Sequence, residues 1–173
     1  MKIFLLVFLL AAFLVFRIYN KLIKGRELVK EGFSGIDVQL KRRHDLIPKL
    51  VEAVKQYAAY ESATLSAVTE LRSGMSRQAA VADISASERG LSAELKKLVA
   101  VAEAYPELQA NASFLDLQRN LTEVEQHIQL ARRFYNGSVR NLNIRVDSFP
   151  DSLLARAFGF EAAEFFDDEE IAS

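Results

Sequence analysis

The chain has 173 residues, half of them hydrophobic, and its 22 Lys and Arg against 23 Asp and Glu leave a formal net charge of −1. That length allows one domain with a core. The absence of Cys excludes a disulfide frame, a thiol nucleophile and any Cys-built zinc or iron–sulfur site.

The first segment, "MKIFLLVFLLAAFLVFRIYNK", holds an unbroken apolar run of fourteen residues, Ile3 to Phe16. By length alone this run is short for a membrane span and fits a signal-peptide core, with a buried helix as a third reading. No small-residue cleavage site follows it; Arg17-Ile18-Tyr19-Asn20-Lys21 does. Lys2 and Arg17 can extend their stems and keep their charges at the two interfaces. As a helix, Met1 to Tyr19 rises roughly 28 Å, near the roughly 30 Å of a bilayer core. Residues 1–19 therefore read as an uncleaved transmembrane anchor. Arg17, Lys21, Lys24, Arg26 and Lys30 follow it, and Lys2 with the terminal amine precedes it. The positive-inside rule then predicts a single-pass membrane protein with the bulk of the chain cytoplasmic.

Only 7 Gly and 3 Pro occur in the whole chain, so helix is favoured throughout. Ile18, Leu22, Val29, Phe33, Ile36 and Leu40 continue a helical period directly from the anchor. Gly25, Gly32 and Gly35 weaken that helix, and close approach of a neighbouring helix explains them better than a hinge. The next stretch, "KRRHDLIPKL" (41–50), reads as a turn. Cations at 41–43 would offset a helix C-terminal dipole, Asp45 would cap the next helix, and Pro48 would occupy its first turn.

A second helix is predicted from about Pro48 to Ser73, a small polar loop over 73–87, and a third helix from about Glu88 to Ala104. "YPELQANAS" reads as a turn with Ser113 as N-cap. A long fourth helix, about 114–148, has near-heptad apolar spacing of coiled-coil type and ends at Pro150. No segment reads as a strand. The expected fold class is all-α: the N-terminal transmembrane helix followed by an antiparallel up-and-down four-helix bundle over 20–150. Residues 151–173 form a short amphipathic segment and an acidic tail, with six acids and no base after Arg156. Their Leu153, Leu154, Phe158, Phe160, Phe165 and Phe166 would cap the bundle end or lie on lipid headgroups, capping being preferred.

Catalytic patterns are missing. A di-iron bundle needs Glu-x-x-His on two helices, and the chain has two His in all. There is no nucleophile elbow, P-loop or dinucleotide fingerprint, so no catalytic, cofactor-binding or metal residue is assigned and no cofactor is expected. No basic–aromatic run suits nucleic acid. Two polar groups remain as candidate interaction surfaces. One is Arg42, Arg43 and His44 at the supposed tip, as a recognition site for a protein or a phosphate-bearing partner. The other is Arg132, Arg133, Asn136 and Arg140 on the fourth helix, within an Arg/Asn-rich face that could hold acidic groups, the chain's own tail among them.

"IDVQLKRRHDLIPKLVEAVKQYA", "VAEAYPELQAN", "LTEVEQHIQLARRFYN" and "FGF" together resemble the LemA family of bacterial membrane proteins, from about Tyr19 to Phe166. The resemblance implies an N-terminal anchor and a helical bundle; it implies no reaction, substrate or catalytic residue. "GFSGIDVQL" departs from it, since the family more often has Ala-Trp before the Ser, which touches local packing alone. The expected role is a protein-interaction or scaffold module at the membrane. Its expected partners are the lipid bilayer, an unknown protein and, as an option, further copies of the chain. The alternatives are an envelope-stress or assembly factor with a periplasmic domain, and a metal-binding or enzymatic accessory bundle.

Overall fold

The structure, a computed structural model, describes residues 1–57, 62–73 and 80–166. The helices are α1 (Lys2–Lys55), α2 (Ser62–Ser73), α3 (Val81–Ala102), α4 (Pro106–Gln109), α5 (Ala112–Asp147) and α6 (Asp151–Ala157). No strand occurs among the described residues, so the chain is all-α as expected. The acidic end of the chain, 167–173, and part of the predicted loop after Ser73 lie outside the described residues.

The expected corner at 41–50 is not a corner. α1 runs unbroken through it to Lys55, so residues 48–55 belong to the first helix and not the second. Pro48 sits inside the helix and not in the first turn of a new one. Proline lacks the N–H that would bond the carbonyl four residues earlier, here that of His44. The Arg72 Nε–H of α2 donates to the His44 oxygen instead, at 3.1 Å. A side chain thus supplies the donor that proline removes. Arg72→Leu should therefore cost about 1–2 kcal/mol with Pro48 present. In a Pro48→Ala background, where position 48 regains its N–H, the same change should be nearly silent. Urea denaturation of the four proteins measures that coupling.

Two other boundaries differ. α3 begins at Val81, which puts Glu88 two turns inside the helix. The cap of α5 is Asn111 and not Ser113: Asn111 Oδ1 accepts from the Ser113 N–H at 2.9 Å and the Phe114 N–H at 3.3 Å. Asn is as good an N-cap as Ser, and two orphan amides are satisfied at once.

The chain divides into two compact units. The first comprises Met1–Gly35 with Ala131–Phe165. Within it, residues rising along α1 meet residues falling along α5, so the two helices are antiparallel. A Cβ at Gly25 would lie 3.2 Å from Leu142 Cδ1, and one at Gly32 only 2.9 Å from the Tyr135 Cα. The expected close approach is therefore present at Gly25 and Gly32. Gly35 has nothing within 4 Å of its would-be Cβ. Leu22, Ala155 and Phe160 form the buried centre of this unit's lower core, with Ile18, Ile23, Val146 and Leu154 against it. The apolar start of α1 takes no part: Ile3 to Phe16 are all exposed. This is one helix long and apolar enough to cross a membrane.

The second unit is built on Ile36–Leu130 and takes in Phe166. Its core joins Ile47, Leu50 and Val54 of α1, Leu65 and Val68 of α2, and Leu91, Leu95, Leu98 and Ala102 of α3. Leu108 of α4 and Phe114 of α5 close it. α1, α2 and α3 each contribute residues at three- and four-residue steps, as burial of one helix face requires.

Candidate functional site

The buried stripe of α1 in the second unit is Ile36, Leu40, Arg43, Ile47, Leu50 and Val54. One of its six positions is an arginine. Arg43 is 1% exposed, and a guanidinium so placed must be paired. Its Nη2 pairs with Glu88 Oε2 of α3. Its Nη1 donates to Ser92 Oγ at 2.7 Å and to Glu125 Oε2 of α5 at 2.9 Å. Glu88 also sits on a core stripe, with Ser85, Leu91, Leu95, Leu98 and Ala102. Its second oxygen, Oε1, lies 2.9 Å from His44 Nε2. Three helices are thus tied together through one arginine, and α2 joins at the neighbouring residue through Arg72.

This cluster is suited to fixing register. Arg keeps its charge at any relevant pH, and both Glu88 oxygens are engaged. Taking the charges out of water offsets most of their attraction, so the cluster adds little net stability. It does penalise any alignment of α1 against α3 that leaves one of them alone. Beside it, a groove of about 400 Å³ runs between α3 and α5, lined mainly by Leu95, Val99, Ala100 and Leu121, with Ser92 and Glu125 among its walls. Among the described residues, no group of three or more His, Asp or Glu is placed to hold a metal ion.

In the first unit, the polar face of α5 holds the chain's own C-terminal segment. Asn143 pairs with the peptide of Ala163 in both directions: Nδ2–H to the Ala163 oxygen at 2.9 Å, and the Ala163 N–H to Oδ1 at 2.8 Å. The Tyr135 hydroxyl donates to the Glu164 carbonyl at 2.8 Å. Burial, and then the Glu164 charge, push the Tyr135 phenol above its ordinary value of 10.0. The phenol's contribution is therefore complete below that value and is lost as pH rises through the higher folded-state one. Gly159, at φ +68°, turns the chain so that Phe160 enters the core under Arg26, whose guanidinium lies 5.2 Å from the ring centroid. Only glycine adopts that backbone readily.

Of the seven candidate residues, Arg42, Arg43 and His44 belong to the second unit and Arg132, Arg133, Asn136 and Arg140 to the first. Arg42 is exposed, 3.9 Å from Glu123. Arg43 is buried, which corrects its expected place on an exposed tip, and the half-buried His44 faces Glu88. Arg133 and Arg140 are exposed, whereas Arg132 and Asn136 are half-buried. Sequence reasoning missed Glu88, Ser92 and Glu125. The signal was present: with the helix left unbroken, Arg43 and Glu88 both fall on apolar stripes, with opposite charges.

The sequence profile described as the LemA family matches residues 32–173. The magnetosome protein MamQ 2 of Paramagnetospirillum magneticum is 26% identical over 177 residues, covering 87% of this chain and 65% of that protein. MamQ of Magnetospirillum gryphiswaldense is 22% identical over the same shares. Protein LemA of Metamycoplasma hominis is 24% identical over 180 residues, covering 97% of this chain and 79% of its own length. The chain thus spans about 65% of the length of the MamQ relatives.

Proposed function

The chain belongs to the LemA family, and from that premise we propose that it is a helical interaction module held at the bacterial inner membrane by residues 1–19. The observation that carries this reading is the exposure of every residue from Ile3 to Phe16 on a helix that continues without a break into packed structure. Fourteen exposed apolar residues are costly in water, at about 25 cal/mol per Å² of apolar surface. A bilayer removes that cost. The basic residues after the span support a cytoplasmic helical part by the positive-inside rule. The exposed Arg133 and Arg140 on α5 are the charged positions we assign to a protein partner. Arg43, being buried, serves the fold.

Fusing the C-terminus in parallel to a reporter active only in the cytoplasm and to one active only in the periplasm tests the topology. Activity of the cytoplasmic reporter alone is the expected result. Activity of the periplasmic reporter alone would reverse the orientation and favour an envelope-assembly role.

A further inference from the structure

We infer that the first unit carries a second membrane contact: Phe149, Leu153 and Phe158 form an apolar collar that seats in the headgroup–acyl boundary beside the span. This rests on the reading of residues 1–19 as a membrane anchor.

The collar is fixed to the end of the span by packing. Tyr19 stands three residues beyond Phe16, and its ring meets Phe158 edge-on at a centroid distance of 5.0 Å and Phe160 at 6.0 Å. Phe160 is buried with Leu22 and Ala155, and Val146 and Leu154 pack on the same cluster. The turn bearing Phe149 lies between those last two residues in the chain, and Leu153 stands beside Leu154 on α6. Yet Phe149 is 81% exposed, Leu153 61% and Phe158 53%. The same short segment therefore sends one set of apolar side chains into the core and leaves another uncovered.

Dimensions identify what covers the second set. The strictly apolar run Ile3 to Phe16 rises only about 20 Å as a helix, some 10 Å less than a hydrocarbon core of about 30 Å. A span that short draws its flanking residues toward the lipid or thins the bilayer. Tyr19 lies about 4.5 Å beyond Phe16 along the axis, and each headgroup zone is about 5–8 Å deep. Side chains at the level of Tyr19 therefore fall in that zone, where aromatic residues concentrate. Arg156, one turn after Leu153 on α6, and Lys21 and Lys24 on α1 are exposed and suited to lipid phosphates. The occupant is thus the lipid surface itself, continuous with the span.

The chain contains no Cys, so single-Cys variants of the full chain can be spin-labelled without background. Phe8→Cys, Phe149→Cys and Leu153→Cys are to be reconstituted in vesicles of phosphatidylcholine and phosphatidylglycerol. Power saturation with oxygen and a nickel chelate then reads depth. The expected result is a deep label at position 8 and boundary-depth labels, more accessible to oxygen than to nickel, at 149 and 153. A deep label at 8 with aqueous labels at 149 and 153 overturns the collar and leaves the anchor standing. An aqueous label at 8 overturns both. Dipolar broadening at 149 or 153 without lipid depth overturns the lipid assignment and identifies a second copy as the cover.

Discussion

Arg43→Met is expected to lower stability by about 3–5 kcal/mol, because it leaves the buried Glu88 carboxylate without its counter-charge. Arg43→Met/Glu88→Leu is expected to recover most of that loss, since well-packed apolar residues replace buried ion pairs at little net cost. The contrast separates a desolvated pair from a simple packing defect, in which the second substitution would add to the first. Glu125 behaves differently. Its side chain is 40% exposed, and on losing Arg43 it returns to water. Glu125→Gln should therefore cost less than about 1 kcal/mol. Chemical denaturation followed by circular dichroism reads all three. A cost below about 1 kcal/mol for Arg43→Met would show that the guanidinium is not desolvated.

Gly32→Val is the second large effect. The Cβ alone would lie 2.9 Å from the Tyr135 Cα and 3.3 Å from its Cβ. The first is backbone of a packed helix and cannot rotate away. α1 and α5 must separate, at a cost on the order of 3 kcal/mol. Gly35→Ala is the control on the same helix. Its added methyl has open space and removes a helix-interior glycine, so stability should rise by up to about 1 kcal/mol. Opposite signs at two glycines three residues apart test the packing directly. Two losses of similar size would mean that the helix, and not the contact, sets the cost.

The parts of the fold legible in the sequence were those set by apolar period. The long apolar start of α1, the apolar stripe of α5 and the close approach at Gly25 and Gly32 all follow from spacing and side-chain size. What misled was punctuation. Three cations, an acid and a proline between 41 and 48 have the chemistry of a helix end. Only a donor 24 residues beyond Pro48, on Arg72, shows why the helix continues. The candidate site was hidden by the same error: breaking the helix at 41–50 removed Arg43 from its stripe, and starting α3 at Glu88 made that residue a terminus. For the second candidate face, the acidic residues 167–173 lie outside the described residues, and at that end of α5 Asn143 and Tyr135, which were not among the candidates, bond the peptide groups of Ala163 and Glu164.

That last detail bears on how the protein can change over time. Asn143 and Tyr135 bond the backbone of Ala163 and Glu164, so the identity of either side chain is irrelevant to those three hydrogen bonds. The exposed positions 161, 162 and 164 can therefore change side chain while the path stays fixed. The path depends instead on the bonds of Asn143 and Tyr135 and on the turn at Gly159. A segment held through its peptide groups is a place where surface chemistry can be changed without refolding the chain.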